Sequence, residues 1–214
     1  MKIFMAIFVC ISSLAFSQIE KTTNTREASH ISPQEALNKL IEGNIRYRKE
    51  HPLHGDSSKE KREATTSSQK PFAVILSCSD SRVAPEILFD QGIGDVFVIR
   101  IAGNVADALV IDSMQYAIKH LGASLIMVLG HENCGAVEAT MKNEFSTIDN
   151  IGTLIKPALK NCKSLEKCVE ANVESVAQLV KQSPLIQPFI EKNEIAIVGA
   201  YYELQTGKVK LLNK

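Results

Sequence analysis

Two short runs carry residue types that can do chemistry together: Cys78-Ser79-Asp80-Ser81-Arg82 and His131-Glu132-Asn133-Cys134-Gly135. They offer two thiolates and one imidazole, a donor set that suits a catalytic zinc, which takes three protein ligands and keeps a fourth position for water. Either run alone is weak. A single His-x-x-Cys in a chain with five cysteines and five histidines is a common accident, and Cys78 alone reads equally well as a small buried hydrophobe. Joined, with an Asp and an Arg just beyond the first cysteine, they have few bland explanations.

The elements that must position these runs are legible in front of them. Phe72-Ala73-Val74-Ile75-Leu76 and Leu125-Ile126-Met127-Val128-Leu129 are short apolar runs without alternation, bounded by polar residues or glycine. Strands buried on both faces of a parallel sheet read this way. Both ligand runs thus begin where a buried strand ends. In open α/β sheets, ligands bind beyond the carboxyl ends of the strands where neighbouring connections diverge, so two such ends form one crevice.

At this point the chain resembles the β-class carbonic anhydrases, whose zinc motifs read Cys-x-Asp-x-Arg and His-x-x-Cys. The resemblance extends through Asp90-Gln91-Gly92-Ile93-Gly94-Asp95-Val96-Phe97-Val98-Ile99-Arg100-Ile101-Ala102-Gly103-Asn104, through Asn172-Val173 with Val176, and to Gly199-Ala200-Tyr201-Tyr202; it covers Ser32 to Lys214. It implies a zinc enzyme with one Zn2+ per subunit on Cys78, His131 and Cys134, and reversible hydration of CO2 to bicarbonate and a proton by a zinc-bound hydroxide. Two thiolates cancel the ion's two charges, so such a site acidifies water less than a neutral three-histidine site unless neighbours compensate. Asp80 and Arg82 are the implied catalytic neighbours. In the family the carboxylate accepts a hydrogen bond from the nucleophile while the arginine holds it; in some members it swings onto zinc and closes the site. Arginine suits that role because its planar fork grips a carboxylate bidentately and keeps its charge. The bland reading is a surface ion pair worth ~0–1 kcal/mol.

The resemblance also implies a substrate pocket of Gln69, Phe97, Tyr116 and Gly135. Each has an ordinary reading beside the functional one: a solvated loop residue, a core side chain, a helix-packing ring, and a glycine that serves a tight turn rather than clearing space for a backbone N–H to meet substrate. An inhibitory bicarbonate site of some bacterial members is built partly from tryptophan, and this chain has none. That departure, with Gln69, favours an open zinc. Two rival functions remain: the same fold and zinc acting on a CO2 analogue such as carbon disulfide, and a non-catalytic zinc or thiol protein in which Asp80 closes the site or Cys78 and Cys134 cycle.

Residues 1–17 read as an export signal: Lys2, an apolar stretch from Ile3 to Ala15, and small residues at Ala15 and Ser17 before Gln18. The stretch is shorter than the ~20 residues a bilayer demands. The expectation is a bacterial periplasmic or secreted protein, free of the membrane once the signal is removed. Lys and Arg total 24, as do Asp and Glu, so no imbalance points to nucleic acid. In such a compartment Cys162 and Cys168 can pair if Ser164 caps a helix that leaves Cys162 outside; if both are helical they point apart.

Residues 18–31 are polar, and 32–214 read as a single domain. Ser32-Pro33-Gln34-Glu35 has the form of a helix start with a capping box. Leu37, Leu40, Ile41, Asn44 and Tyr47 follow on one stripe that has no obvious sheet of its own to cover. Residues 49–70 are polar and exposed in character; His51 and His54 there read as solvated. Beyond Cys78 the pattern gives a short helix at Pro85–Phe89, a strand at Val96–Ile101, a helix at Ala106–His120, further helices, a strand at Ile195–Tyr202 and a short edge strand at Val209–Leu212. Strands alternating with helices define an α/β fold, a mostly parallel central sheet flanked by helices, with an extending N-terminal helix and an antiparallel C-terminal edge strand. By resemblance the N-terminal helices lie across a partner in a homodimer or dimer of dimers, and Gln69, Phe97 or Tyr116 serve a neighbouring site.

Overall fold

A computed structural model describes residues 31–144 and 148–212. The expected signal at 1–17 and nearly all of the polar segment at 18–31 lie outside the described residues. Among the described residues no helix is long and apolar enough to cross a membrane.

In chain order the elements are α1 (Pro33–Arg48), α2 (Lys59–Ala64), β1 (Ala73–Ser77), α3 (Pro85–Leu88), β2 (Val96–Arg100), a 3-10 turn at Ala102–Asn104, α4 (Ala108–Leu121) and β3 (Leu125–His131). After them come α5 (Gly135–Met141), α6 (Asp149–Ile155), a 3-10 segment at Lys156–Asn161, α7 (Leu165–Gln182), α8 (Gln187–Glu191), β4 (Ala196–Tyr202) and β5 (Val209–Leu212). The sheet order is β2-β1-β3-β4-β5. Its first four strands are parallel and β5 is antiparallel on the edge, as the sequence pattern requires.

All residues of β1 and β3 are buried, which is why neither alternates in sequence. Their side chains still divide by the period of two. Val74, Leu76, Ile126 and Val128 pack beneath α4 and α7, against Met114, Ile118, Val173 and Val180. Ala73, Ile75, Leu125, Met127 and Leu129 face the other way, onto Ala36 and Leu40 of α1 and Leu88 of α3. The stripe on α1 therefore does have a surface in its own chain. The sequence could not place it, because a parallel sheet has two apolar faces and the longer helices cover only one.

Caps and anchors fix this arrangement. Ser32 accepts from the Glu35 N–H while the Glu35 carboxylate accepts from the Ser32 N–H at 2.7 Å, closing the capping box. Asn44, buried on α1, donates to the carbonyls of Leu88 and Gly207 and accepts from the Val209 N–H. One satisfied amide thus ties α1 to α3 and to the β4–β5 turn. Ser164 caps α7, Cys162 stays outside it, and Cys162 and Cys168 form a disulfide with Cα atoms 5.1 Å apart.

Connections leave β1 and β3 in opposite directions: β1 leads through α3 on one face to β2, and β3 leads through α7 on the other face to β4. The carboxyl ends of these two adjacent strands form the switch point of the sheet.

Candidate metal centre

Cys78 directly follows β1, His131 is the last residue of β3, and Cys134 is the N-cap of α5. Register pairs Ser77 with Leu129, so the two strands deliver Cys78 and His131 side by side. The chain then doubles back at Asn133, whose φ of 53° lies in the left-handed region that asparagine tolerates better than most residues. One ligand atom from each of Cys78, His131 and Cys134 lies within 4.8 Å of the others, and all three residues are buried.

The imidazole is oriented for coordination. His131 Nδ1 lies 2.8 Å from the carbonyl oxygen of Glu132, an acceptor, so Nδ1 carries the proton and Nε2 the free lone pair. Nε2 is buried with no hydrogen-bond partner among the described residues. Leaving such an atom unpaired costs roughly 1–3 kcal/mol, which a metal bond would offset. Glu132 is itself held twice: its N–H donates to the Tyr202 carbonyl and its carboxylate accepts from the Leu204 N–H.

Both thiols are free. A hydrogen bond from the Cys134 thiol holds Cys78 well below the ordinary thiol range against the effect of burial, and the Gly103 N–H adds to it. Cys134 is held up in turn by that shared proton and by burial. The pair thus shares one proton, and a bound cation would remove it. Two soft sulfurs and one oriented nitrogen fit zinc in kind and number.

Asp80 borders the cluster. Its carboxylate accepts from Arg82 Nε at 2.9 Å, from Arg82 Nη2 at 2.8 Å and from the Arg82 backbone N–H at 2.9 Å. Arg82 holds the Asp80 carboxyl well below the usual carboxylate range, outweighing partial desolvation. Asp80 Oδ2 stands 3.9 Å from His131 Nε2. Arg82 also reaches the Asn133 carbonyl at 3.4 Å, linking the two motifs.

The remaining expected site residues fall in two places. A Cβ at Gly135 would meet nothing within 4 Å and its φ is not positive, so its lack of a side chain leaves space beside Cys134 rather than serving a turn. Gln69 and Tyr116, in contrast, line a cleft of about 590 Å³ with His120. The Phe97 ring is 6.4 Å from that of Tyr116. Gln69 precedes β1, so the cleft opens at the amino end of the sheet while the thiols sit at its carboxyl end. The fold does not bring Gln69, Phe97 and Tyr116 to the cluster of their own chain.

Three contributors were quoted from sequence only within the runs that carry the resemblance and were given no role there. Arg100, at the end of β2, donates to the carbonyls of Cys78 and Asp80 at 3.2 and 2.7 Å. The Gly103 N–H donates to Cys78 Sγ at 3.3 Å. Asn172 of α7 donates to the Gly103 carbonyl at 2.8 Å. Beyond those runs, Arg100 was marked by its place at a strand end beside the ligand strand, whereas the bonds of Gly103 and Asn172 use the backbone groups of Gly103, which residue types do not announce.

With this geometry established, relatives can be compared. A family model for carbonic anhydrase matches residues 73–209. The chain is 40% identical over 192 residues to a carbonic anhydrase of Mycolicibacterium smegmatis, covering 84% of this chain and 93% of that one. It is 38% identical over 197 residues to carbonic anhydrase 2 of Mycobacterium tuberculosis, with the same coverage of 84% and 93%. The solved structure of a Coccomyxa β-carbonic anhydrase in complex with acetazolamide is similar at a TM-score of 0.66 and 29% identity, over 83% of this chain and 86% of that one. The chain belongs to the carbonic anhydrase family, and within it to the β class.

Proposed function

We propose that this chain is a lyase that interconverts CO2 and water with bicarbonate and a proton, and that Cys78, His131 and Cys134 hold one zinc ion per subunit. The observation that carries the reading is the buried lone pair of His131 Nε2 beside two free thiols, with Nδ1 committed to the Glu132 carbonyl. A zinc ion bound there supplies the Lewis acidity that brings the pKa of water toward neutrality, to about 7 in the handiest zinc precedent.

The protein's own groups do the rest. Asp80, kept ionised and fixed by Arg82, accepts a hydrogen bond from the attacking oxygen and turns one of its lone pairs toward the CO2 carbon. Arg82 cannot give up its proton, so it secures the acceptor without competing for the one released. The cleared space at Gly135 supports substrate approach beside Cys134. Gln69, Phe97 and Tyr116 form an amphipathic wall suited to a small apolar substrate and a polar product. Because they face the opposite end of the sheet from their own thiols, they serve the site of a second copy, in a homodimer or dimer of dimers. Residues 1–17 direct the chain to the periplasm or the exterior.

Stopped-flow CO2 hydration with the zinc-loaded protein beside Cys78→Ser tests the reading. A fast rate in the first and a background rate in the second are expected. Equal rates overturn it.

A further inference from the structure

Asn172 is an outlier on its helix. It is fully buried on α7, in a stripe otherwise made of Cys168, Val169, Val173, Val176, Ala177 and Val180, where an aliphatic side chain would pack without a polar liability. Its Nδ2 donates to the Gly103 carbonyl at 2.8 Å. Because that carbonyl only accepts, the amide orientation is fixed, and Oδ1 is left buried without a hydrogen-bond partner among the described residues. A half-satisfied buried amide is retained against its cost for what its bonded half holds in place.

What it holds is Gly103, at φ 69°, in a backbone region that side chains resist. The N–H of this same residue points at Cys78 Sγ from 3.3 Å. The fold brings α7 in close enough for this reach. A Cβ at Gly130 on β3 would come 2.5 Å from Val173 Cγ2, so only a bare strand position admits the helix there. Gly103 is also covered by Ile155 of α6, whose Cδ1 would lie 2.7 Å from a Cβ at that position. The turn is thus clamped from its carbonyl by Asn172 and from its Cα face by Ile155.

We propose that Asn172 is a positioning residue: by fixing Gly103 it aims the Gly103 N–H at the Cys78 sulfur and so limits how much electron density that thiolate gives to the bound metal. This rests on the zinc reading above. It supplies the compensation that a two-thiolate site needs, since an N–H···S bond withdraws density from one sulfur and leaves the metal a stronger Lewis acid. Asn172 is the side chain that secures the backbone donor to Cys78.

The test compares wild type, Asn172→Leu and Asn172→Asp, which are similar in size, with Val176→Ala as a packing control on the same helix. Zinc affinity by chelator competition should fall about tenfold in both Asn172 variants, the lower end of the range for outer partners of metal ligands. In the Co2+-loaded proteins the sulfur-to-cobalt charge-transfer band should move to longer wavelength in both, and stay in place in Val176→Ala. In 113Cd-loaded wild type, the Gly103 amide proton should show scalar coupling to cadmium through the sulfur, a readout that needs no variant. Absent coupling overturns the inference, as does a band in the Asn172 variants that matches wild type, even where affinity falls as it does in Val176→Ala. If wild type takes up no metal, the zinc reading itself fails and this inference falls with it; if wild type binds and the variants match it, this inference alone fails.

Discussion

Arg82 grips Asp80 through both arms of its guanidinium, at 2.9 and 2.8 Å, while its own backbone N–H donates to the same carboxylate. An acceptor held by three donors has little freedom to swing, and its Oδ2 stands 3.9 Å from His131 Nε2. Asp80→Asn should retain one zinc per chain yet lose roughly 100-fold or more in hydration kcat/KM, the lower end for a positioned proton-handling group. Arg82→Lys, a point charge in place of a fork, should lose less, about tenfold. Stopped-flow rates together with metal analysis check both. Full activity in Asp80→Asn contradicts the orienting role.

A second ion pair governs acid stability. Asp90 is nearly fully buried, Arg46 Nε lies 2.6 Å from its Oδ2, and the Leu53 N–H donates to the same oxygen at 3.0 Å. Burial works against ionisation of Asp90, but Arg46 and the N–H groups of Leu53 and His54 outweigh it and lower its pKa. Because the folded value lies below the unfolded value of ~3.9, the unfolded state binds the proton more readily. The contribution is fully present above pH ~4 and is lost as pH falls through the folded pKa. Arg46→Met should cost about 1.5–3 kcal/mol at neutral pH and flatten the acid limb of urea-derived stability. An acid limb as steep as wild type would contradict the assignment.

The Cys162–Cys168 bridge closes a short loop between the 3-10 segment and α7, at a sequence separation of 6. Chain entropy assigns such a loop about 2 kcal/mol. The Cys162→Ala, Cys168→Ala double variant should therefore melt lower by a corresponding amount and keep its zinc content, as both ligand cysteines are untouched. Thermal melts and metal analysis measure the two effects separately.

At Gly130 the strand and α7 leave no room: an added Cβ would fall 2.5 Å from Val173 Cγ2 and 2.8 Å from Val169 Cγ1. Gly130→Ala should destabilise by about 1–3 kcal/mol through overpacking. Adding Val173→Ala should recover part of that loss, a coupling that denaturant titration of the four proteins in the cycle can read.

Much of this architecture is legible in the chain because local and global signals agree. The unbroken apolar runs at 72–76 and 125–129 announce doubly buried strands, Ser32 with Glu35 announces the start of α1, and Ser164 announces α7. The ligand trio is legible because cysteine and histidine have few other reasons to end adjacent strands. What stayed hidden depends on backbone direction or on which face is vacant. No residue type declares that the Gly103 N–H will point at sulfur, that α1 will cover the sheet face left open by α4 and α7, or that Gln69 and Tyr116 will open away from their own thiols. The Cys162–Cys168 pair sat between: spacing allowed both outcomes, and the position of Cys162 outside α7 decides it.

The central claim is a metal held by two sulfurs and one nitrogen from the ends of β1 and β3 and the start of α5. X-ray absorption on the zinc-loaded, active protein tests it most directly. The account predicts two Zn–S contacts near ~2.3 Å and lighter-atom contacts near ~2.0–2.1 Å, with one sulfur lost in Cys134→Ser. A shell of nitrogen and oxygen alone, or one with four sulfurs, would contradict it.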